Sequence, residues 1–197
     1  MLWGLTAACP LAKAEFTFYL QEDGSGDVVA TGSGSLNTAA LTAVSDTFHI
    51  PMIIPAGADL GIGVPGSEVI GFVGITGPSI FGTGGATGAF SSGDFVGITG
   101  LDNEIFLPKG YVSGTPLSDA AEFQFESFAT LGITLGTYTW TWGTGPTADS
   151  LTVTADADVP EPASLSLLLF GGLALLHRRP SLGRQRRIAS LRVSGKA

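Results

Sequence analysis

The sequence predicts an all-β protein, an antiparallel β-sandwich over residues 15–158 followed by a single C-terminal hydrophobic helix. Three observations support this fold class. Only 13% of the residues are charged and 29 are glycine, a composition that suits strands and turns better than helices with charged outer faces. Apolar and polar residues alternate with period two along several segments. Residues 163–176 form an uncharged apolar run that predicts one helix.

Residues 1–14 are expected to be a signal peptide. This short apolar segment ends in Ala12-Lys13-Ala14, and signal peptidase accepts small residues at the first and third positions before the cut, so cleavage is expected after Ala14. No basic residue precedes the apolar stretch. Either the true start codon lies further upstream or the segment is not a signal peptide, and a buried first strand is the alternative structure. The single cysteine, Cys9, lies here, which predicts a mature chain without disulfides.

The predicted body begins with a hairpin. Phe16, Phe18 and Leu20 share one face of a first strand, and the turn residues 23–27 lead into a second strand at 28–31. Further strands are predicted at 47–54, 69–75, 122–126, 137–142 and 151–154. The glycine-rich stretch between residues 77 and 94 has little pattern and is predicted to be a long mobile loop.

The charges divide the chain into an acidic body and a basic tail. All 17 acidic residues lie between Glu15 and Glu161, whereas every basic residue except Lys13 and Lys109 follows His177. A body with one internal lysine lacks the positive surface that the phosphates of nucleic acid require. Nucleic acid is therefore excluded as a partner.

The most specific motif lies near the C-terminus. Val159, Pro160, Glu161 and Pro162 precede the apolar run. The two prolines remove backbone donors and hold the chain extended, which predicts an accessible linker after the last strand. Five arginines follow the apolar run: Arg178, Arg179, Arg184, Arg186 and Arg187.

The apolar run at 163–176 is expected to be a membrane helix. At about 1.5 Å per residue it would be about 21 Å long, shorter than the roughly 30 Å hydrocarbon core. Snorkelling of Arg178 and Arg179 and local thinning of the bilayer would supply the rest. The arginines would stay cytoplasmic while the acidic body is exported. A buried core helix is the alternative, and the adjacent arginines argue against it.

The order of Pro-Glu-Pro motif, apolar helix and arginines resembles the PEP-CTERM sorting segment of Gram-negative bacteria over residues 159–187. The resemblance implies that exosortase, a membrane protease-transpeptidase, recognises residues 159–162 and releases or transfers the body. Glu161 is then a recognition residue of a substrate. The same segment is also catalogued as an ice-binding protein C-terminal domain, which we treat as a name. Family members usually stop soon after the basic cluster, so residues 188–197 form an extra tail.

Three segments of the body are similar to patterns in PEP-CTERM cargo proteins, a group without an assigned activity. They are residues 32–37 (GSGSLN), residues 110–114 (GYVSG) and residues 135–150, which contain GTYTWTWGTG and ADS. This similarity implies export and one β domain.

Tyr138, Trp140 and Trp142 are the candidate ligand-binding residues of the body. Three aromatic side chains on one strand face could stack on sugar rings. The interpretation we favour is that they fill the core, because the intervening threonines suit an exposed face. A row of threonines can also suggest ice binding, but a single short row is weak evidence for that function.

No catalysis, cofactor or metal is expected. Asp23, Ser25 and Asp27 have the spacing that begins a calcium loop, but Val28 stands where the turn glycine belongs, so a hairpin turn is the better interpretation. His49 is the only histidine of the mature body, and no Gly-x-Ser-x-Gly elbow accompanies it. One histidine without cysteine is too few for a zinc site.

We therefore expect an envelope or extracellular-matrix protein with a structural or adhesive role, first anchored in the inner membrane. Its expected partners are an exosortase-type enzyme, the lipid bilayer and exopolysaccharide. The alternative function is a carbohydrate-binding module of the exopolysaccharide matrix. A hydrolase ranks third.

Overall fold

The computed structural model describes residues 14–156, without the side chains of residues 45–48. This part of the chain is mostly β, as predicted, and its strands form two sheets. Its one α-helix, α1, is a single turn, Phe128–Leu131. The strands in chain order are β1 (Glu15–Glu22), β2 (Val28–Ser35), β3 (Thr42–His49), β4 (Met52–Ile54), β5 (Asp59–Ile62), β6 (Ser67–Val73), β7 (Thr87–Gly88), β8 (Phe90–Gly93), β9 (Val96–Thr99), β10 (Glu104–Pro108), β11 (Pro116–Phe123), β12 (Gly136–Trp142) and β13 (Asp149–Asp156).

The first sheet has six strands in the order β12-β13-β1-β2-β11-β8. The prediction of a purely antiparallel arrangement is wrong at one position, because β1 and β13 pair in parallel, with Phe18 opposite Val153. Hairpins force neighbouring strands to be antiparallel, but the connection between these two strands is the rest of the body and imposes no direction. The other pairs of this sheet are antiparallel.

The second sheet has seven strands in the order β3-β6-β10-β9-β5-β4-β7, and all of its pairs are antiparallel. The strand predicted at 47–54 is in fact two strands. β3 ends at His49 and β4 begins at Met52, with Pro51 between them. Because proline has no backbone N–H to donate to a ladder, it interrupts the strand there.

The two sheets share one hydrophobic core. Phe16, Phe18 and Leu20 of β1 are fully buried, as the alternation predicts, and they belong to the same cluster as Leu60 and Ile62 of β5. Each such side chain contributes about 1.5–3 kcal/mol when it leaves water. Burial of apolar residues from both sheets in one cluster holds the sheets together.

The segment between residues 77 and 94 is not the patternless loop that its glycines suggested. It contains β7 and β8, and Phe81 within it is buried. The backbone of Phe81 donates to the Pro55 carbonyl and accepts from Thr134, at 3.0 and 2.9 Å. A Cβ at Gly77 would overlap the indole of Trp140, so glycine here permits close approach to a core side chain.

The strand predicted at 122–126 ends earlier, because β11 stops at Phe123. Phe125 has a φ of 59° and its side chain is 90% exposed. Its backbone N–H donates to Asp27 Oδ1 at 2.6 Å, beside the first hairpin. The Asp27 side chain therefore accepts the hydrogen bond that a neighbouring strand would accept within a ladder. The alternation of apolar and polar residues in the sequence continues past the end of β11.

Candidate functional site

The sorting motif lies outside the described residues. This holds for Val159, Pro160, Glu161 and Pro162 and for the apolar run at 163–176. It holds equally for residues 1–13 and for the five arginines Arg178, Arg179, Arg184, Arg186 and Arg187. The structural candidates therefore come from the body.

The three candidate aromatic residues do not form an exposed platform. Trp140 and Trp142 are buried, and each indole N–H donates to a backbone carbonyl, Trp140 to Pro78 at 3.0 Å and Trp142 to Asn37 at 2.8 Å. Tyr138 is half-buried, and its hydroxyl donates to the Thr134 carbonyl at 2.8 Å. The indole faces are covered, so a sugar ring has no flat surface of these residues on which to stack.

Asn37 connects the three segments that resemble PEP-CTERM cargo proteins. Its carbonyl accepts from Trp142, and its backbone N–H donates to Asp149 Oδ2 at 2.5 Å. Its side-chain oxygen lies 3.3 Å from the Ser113 hydroxyl. Nearby, the hydroxyl of Tyr111 accepts from the Leu36 N–H at 2.9 Å. A polar network that joins distant parts of the chain therefore explains why these polar residues occur in the three segments, and this explanation requires no ligand.

The outer face of the six-stranded sheet carries a row of hydroxyl side chains that crosses five strands. Strand register places them opposite one another in turn, and Thr139 Oγ1 lies 3.2 Å from Thr152 Oγ1. Adjacent strands are about 4.8 Å apart, which sets the spacing of the row. From β12 to β11 the row is Thr139, Thr152, Thr17, Ser33 and Ser118.

A second row runs beside the first, about 6.7 Å away along the strands. It consists of Thr137, Thr154, Tyr19 and Thr31. We call the two rows together the hydroxyl face. Its members range from exposed, such as Thr137, Thr139, Thr31 and Ser33, to buried, as Thr152 is.

Charges on the same side of this sheet stand near strand ends, at Glu15, Glu122 and Asp156. The two rows themselves contain no ionisable group except the Tyr19 phenol. The hydroxyl face is therefore a nearly neutral surface rich in groups that both donate and accept hydrogen bonds.

The second sheet has a cavity of about 200 Å³ on the face that points away from the core. Gly61 of β5 and Gly97 of β9 are directly opposite each other. A Cβ on either glycine would lie against the ring of Phe95, at 3.0 and 3.3 Å respectively. Glycine at these two positions therefore leaves room for the Phe95 ring, which lines the cavity.

Aromatic and acidic side chains line this cavity. The imidazole of His49 packs on Phe106 and Phe95, with ring centroids 4.0 and 5.7 Å apart. Asp59 and Asp102 contribute carboxylates. The lining residues include no lysine or arginine, and Lys109 is the only such residue between positions 14 and 156.

Burial changes the ionisation of the cavity groups. It raises the pKa of Asp59; a hydrogen bond to Thr99 opposes this rise, and the negative charge of Asp102 adds to it. Burial also lowers the pKa of His49, which favours the neutral imidazole. Asp59 Oδ1 is buried and has no hydrogen-bond partner among the described residues.

Asp119 is a buried carboxylate that the sequence analysis missed. It lies on the core side of β11, opposite Gly32 of β2. Burial raises its pKa to about 8, the charge of Asp94 adds to this rise, and the Gly32 backbone opposes it. Gly32 is close to the carboxylate, yet neither carboxylate oxygen has a hydrogen bond of good geometry within the described part of the chain. Burial therefore dominates, and it favours the protonated carboxyl at neutral pH.

The alternation of buried and exposed positions around Asp119 could have predicted that this residue points inward. Leu117, Ala121 and Phe123 occupy the same face and are buried. The period-two pattern of a strand would therefore have placed Asp119 inward. Nothing comparable identifies the cavity, because its lining residues come from strands far apart in the chain.

The turn at residues 23–27 is a hairpin turn held by hydrogen bonds among its own residues. Asp23 Oδ1 accepts from the Ser25 N–H at 2.8 Å and from the Asp27 N–H at 3.3 Å. The side-chain and backbone hydrogen bonds from Ser25 lower the pKa of Asp23. Within residues 14–156, no group of three or more His, Cys, Asp or Glu side chains is placed to hold a metal ion.

Between residues 14 and 156 no helix is long and apolar enough to span a bilayer. Comparison with family models, with curated proteins and with solved structures finds no match to this chain.

Proposed function

We propose that this chain is an exported protein of the bacterial envelope or extracellular matrix with an adhesive or structural role. Its body is a β-sandwich that presents the hydroxyl face to neutral matrix polysaccharide. Residues 159–187 act as the sorting segment, with a membrane helix at 163–176. An exosortase-type enzyme processes the precursor, which is first anchored in the inner membrane.

The hydroxyl face is the observation that carries the adhesive role. Threonine, serine and tyrosine hydroxyls can pair with the hydroxyls of a polysaccharide as donor and as acceptor. A nearly neutral surface imposes no charge repulsion and no large desolvation of ions when it meets a neutral polymer. The regular row spacing lets one extended polymer contact several strands at once, and many weak contacts combine into useful avidity.

The sorting role rests on the sequence order of Pro-Glu-Pro motif, apolar run and arginines. The separation of an acidic body from a basic end supports the same orientation across a bilayer. Stacking of sugar rings on Tyr138, Trp140 and Trp142 is not part of the proposal, because both indoles are buried. The described residues offer no constellation that favours a hydrolase.

The adhesive role is tested by co-sedimentation of the exported body with exopolysaccharide isolated from the native host. Ser33→Lys places a long charged side chain within the first row and should weaken binding by about tenfold or more. Ser79→Lys is the matched control, since Ser79 is exposed but lies outside the six-stranded sheet. Equal loss of binding in the two variants, or no binding by the wild type, contradicts the adhesive proposal.

A further inference from the structure

The cavity of the second sheet is built as a small binding site. The rings of Phe95 and Phe106 line it, and two opposed glycines, Gly61 and Gly97, leave room for the Phe95 ring. A glycine in a strand costs stability because it packs no side chain. Side chains at these two positions would displace the ring that forms this wall of the cavity.

One end of the cavity is acidic. Asp59 and Asp102 both line this end. No basic residue lines the cavity to neutralise these carboxylates. An incoming cation that carries N–H groups would neutralise this negative charge and donate charge-assisted hydrogen bonds to the carboxylates.

The other end of the cavity is apolar and aromatic. Met52, Phe95 and Phe106 line it, and His49 packs over Phe106. Such a surface can cover the hydrocarbon part of a ligand, and ring faces attract positive charge. A bare metal ion would find too few ligand groups here, and an anion would be repelled by the two carboxylates. The volume of about 200 Å³ limits the ligand to a small molecule.

We infer that this cavity binds a small organic ammonium ion, with the ammonium group at Asp59 and the hydrocarbon part against Phe95, Phe106 and Met52. This inference does not depend on the proposed envelope function, because it concerns the opposite sheet and requires no sorting segment.

The test uses cyclohexylammonium as the probe and cyclohexanol as its neutral counterpart. Met1 and Met52 are the only methionines of the chain, so a protein labelled with ¹³C at the methionine methyl groups gives few signals. The Met52 signal reports directly on the cavity. We expect cyclohexylammonium to shift it in a saturable way and to bind about tenfold or more tightly than cyclohexanol.

Asp59→Asn keeps the shape of the side chain and removes its charge. This variant should lose most of the preference for cyclohexylammonium while its binding of cyclohexanol is unchanged. Glu15→Gln, which removes one charge from the other sheet, is the matched control and should behave like the wild type. Equal affinity of the wild type for the two probes, an unmoved Met52 signal, or equal losses in the two variants would overturn the inference. The comparison of probes on the wild type decides the question even if Asp59→Asn does not fold.

Discussion

The indole N–H of Trp142 donates a 2.8 Å hydrogen bond to the backbone carbonyl of Asn37, 105 residues away along the chain. At the preceding core position of the same strand, the indole N–H of Trp140 donates to the Pro78 carbonyl. Each tryptophan therefore fills the core and also holds a loop by its polar edge. Truncating either one removes both contributions.

We expect Trp140→Ala and Trp142→Ala each to lower the free energy of unfolding by about 3–5 kcal/mol. Trp142→Phe keeps a ring in the core but leaves the Asn37 carbonyl without its donor, at a cost of about 1–3 kcal/mol. Phe125→Ala is the control, because Phe125 is almost fully exposed, and it should change stability by less than about 0.5 kcal/mol. Chemical denaturation measures all four variants. Similar values for Phe125→Ala and Trp140→Ala would contradict the core assignment.

Asp119 predicts an unusual dependence of stability on pH. Its folded pKa is raised from 3.8 to about 8. Between these values the folded state holds a proton that the unfolded state has lost, so stability falls as pH rises through this window and levels off above it. The slope is about 1.4 kcal/mol per pH unit.

The Asp119→Asn variant should not show this slope, because the amide cannot ionise. Denaturant unfolding of both proteins between about pH 6.5 and 9 isolates this residue, because the other groups with shifted pKa values, Asp23, His49, Asp59 and Glu104, are present in both. We expect Asp119→Asn to gain stability relative to the wild type as pH rises. Parallel pH profiles of the two proteins would show that Asp119 is not protonated in the fold.

Deletion of residues 163–187 should convert a membrane-associated protein into a freely soluble exported one, because it removes both the apolar run and the arginines. Fractionation of the native host, followed by detection of the body, measures this. The full-length chain is the control and should be found with membranes before processing. Recovery of the full-length chain as soluble cytoplasmic material would contradict the anchoring proposal.

Glu161→Gln should leave export and folding intact but block processing. Proline disfavours both helix and sheet, so we expect Pro160 and Pro162 to present the Glu161 carboxylate to a cationic pocket that holds it through charge-assisted hydrogen bonds. Gln keeps the shape without the charge, so the precursor with its arginines should accumulate in the inner membrane. Intact-mass analysis from an exosortase-containing host gives the result.

Asp158→Asn is the control for this experiment, since it removes a neighbouring charge outside the Pro-Glu-Pro motif. It should be processed like the wild type. If Glu161→Gln is also processed normally, recognition does not depend on this charge, and only the weaker proposal of a membrane anchor is left.

Local patterns predicted much of the body. The alternation of Phe16, Phe18 and Leu20 and the turn at 23–27 identify the first hairpin, because both signals lie within a few residues. The parallel pairing of β1 with β13 could not be predicted in this way, since it depends on residues about as far apart as the body allows. The end of the strand before Phe125 was predicted too late for a related reason, because the alternation of apolar and polar residues continues in the sequence after the strand pairing has ended.

The candidate sites likewise divide into features that a local pattern predicts and features that depend on residues far apart in the chain. The alternation with threonines predicted that Trp140 and Trp142 fill the core, and the structure confirms this, whereas the hydrogen bonds of their indoles to Pro78 and Asn37 could not be predicted. The hydroxyl face appears only when strand register sets Thr17, Ser33 and Thr152 side by side. The cavity is lined by residues of separate strands, and Gly61 and Gly97 make room for Phe95 only because they lie opposite each other, which no single segment reveals.

The parallel pairing of β1 with β13 also determines when the protein can finish folding. Leu151 and Val153 of β13 lie beside Phe16 and Phe18 of β1, so one edge of β1 stays unpaired until the last strand has been synthesised and delivered. During translation this open edge could pair with a foreign strand. Closure of such a long loop is also slow, since contacts between distant residues form later than local ones. A chaperone that shields β1 until β13 has paired with it would therefore raise the yield of this protein more than one acting on the finished domain.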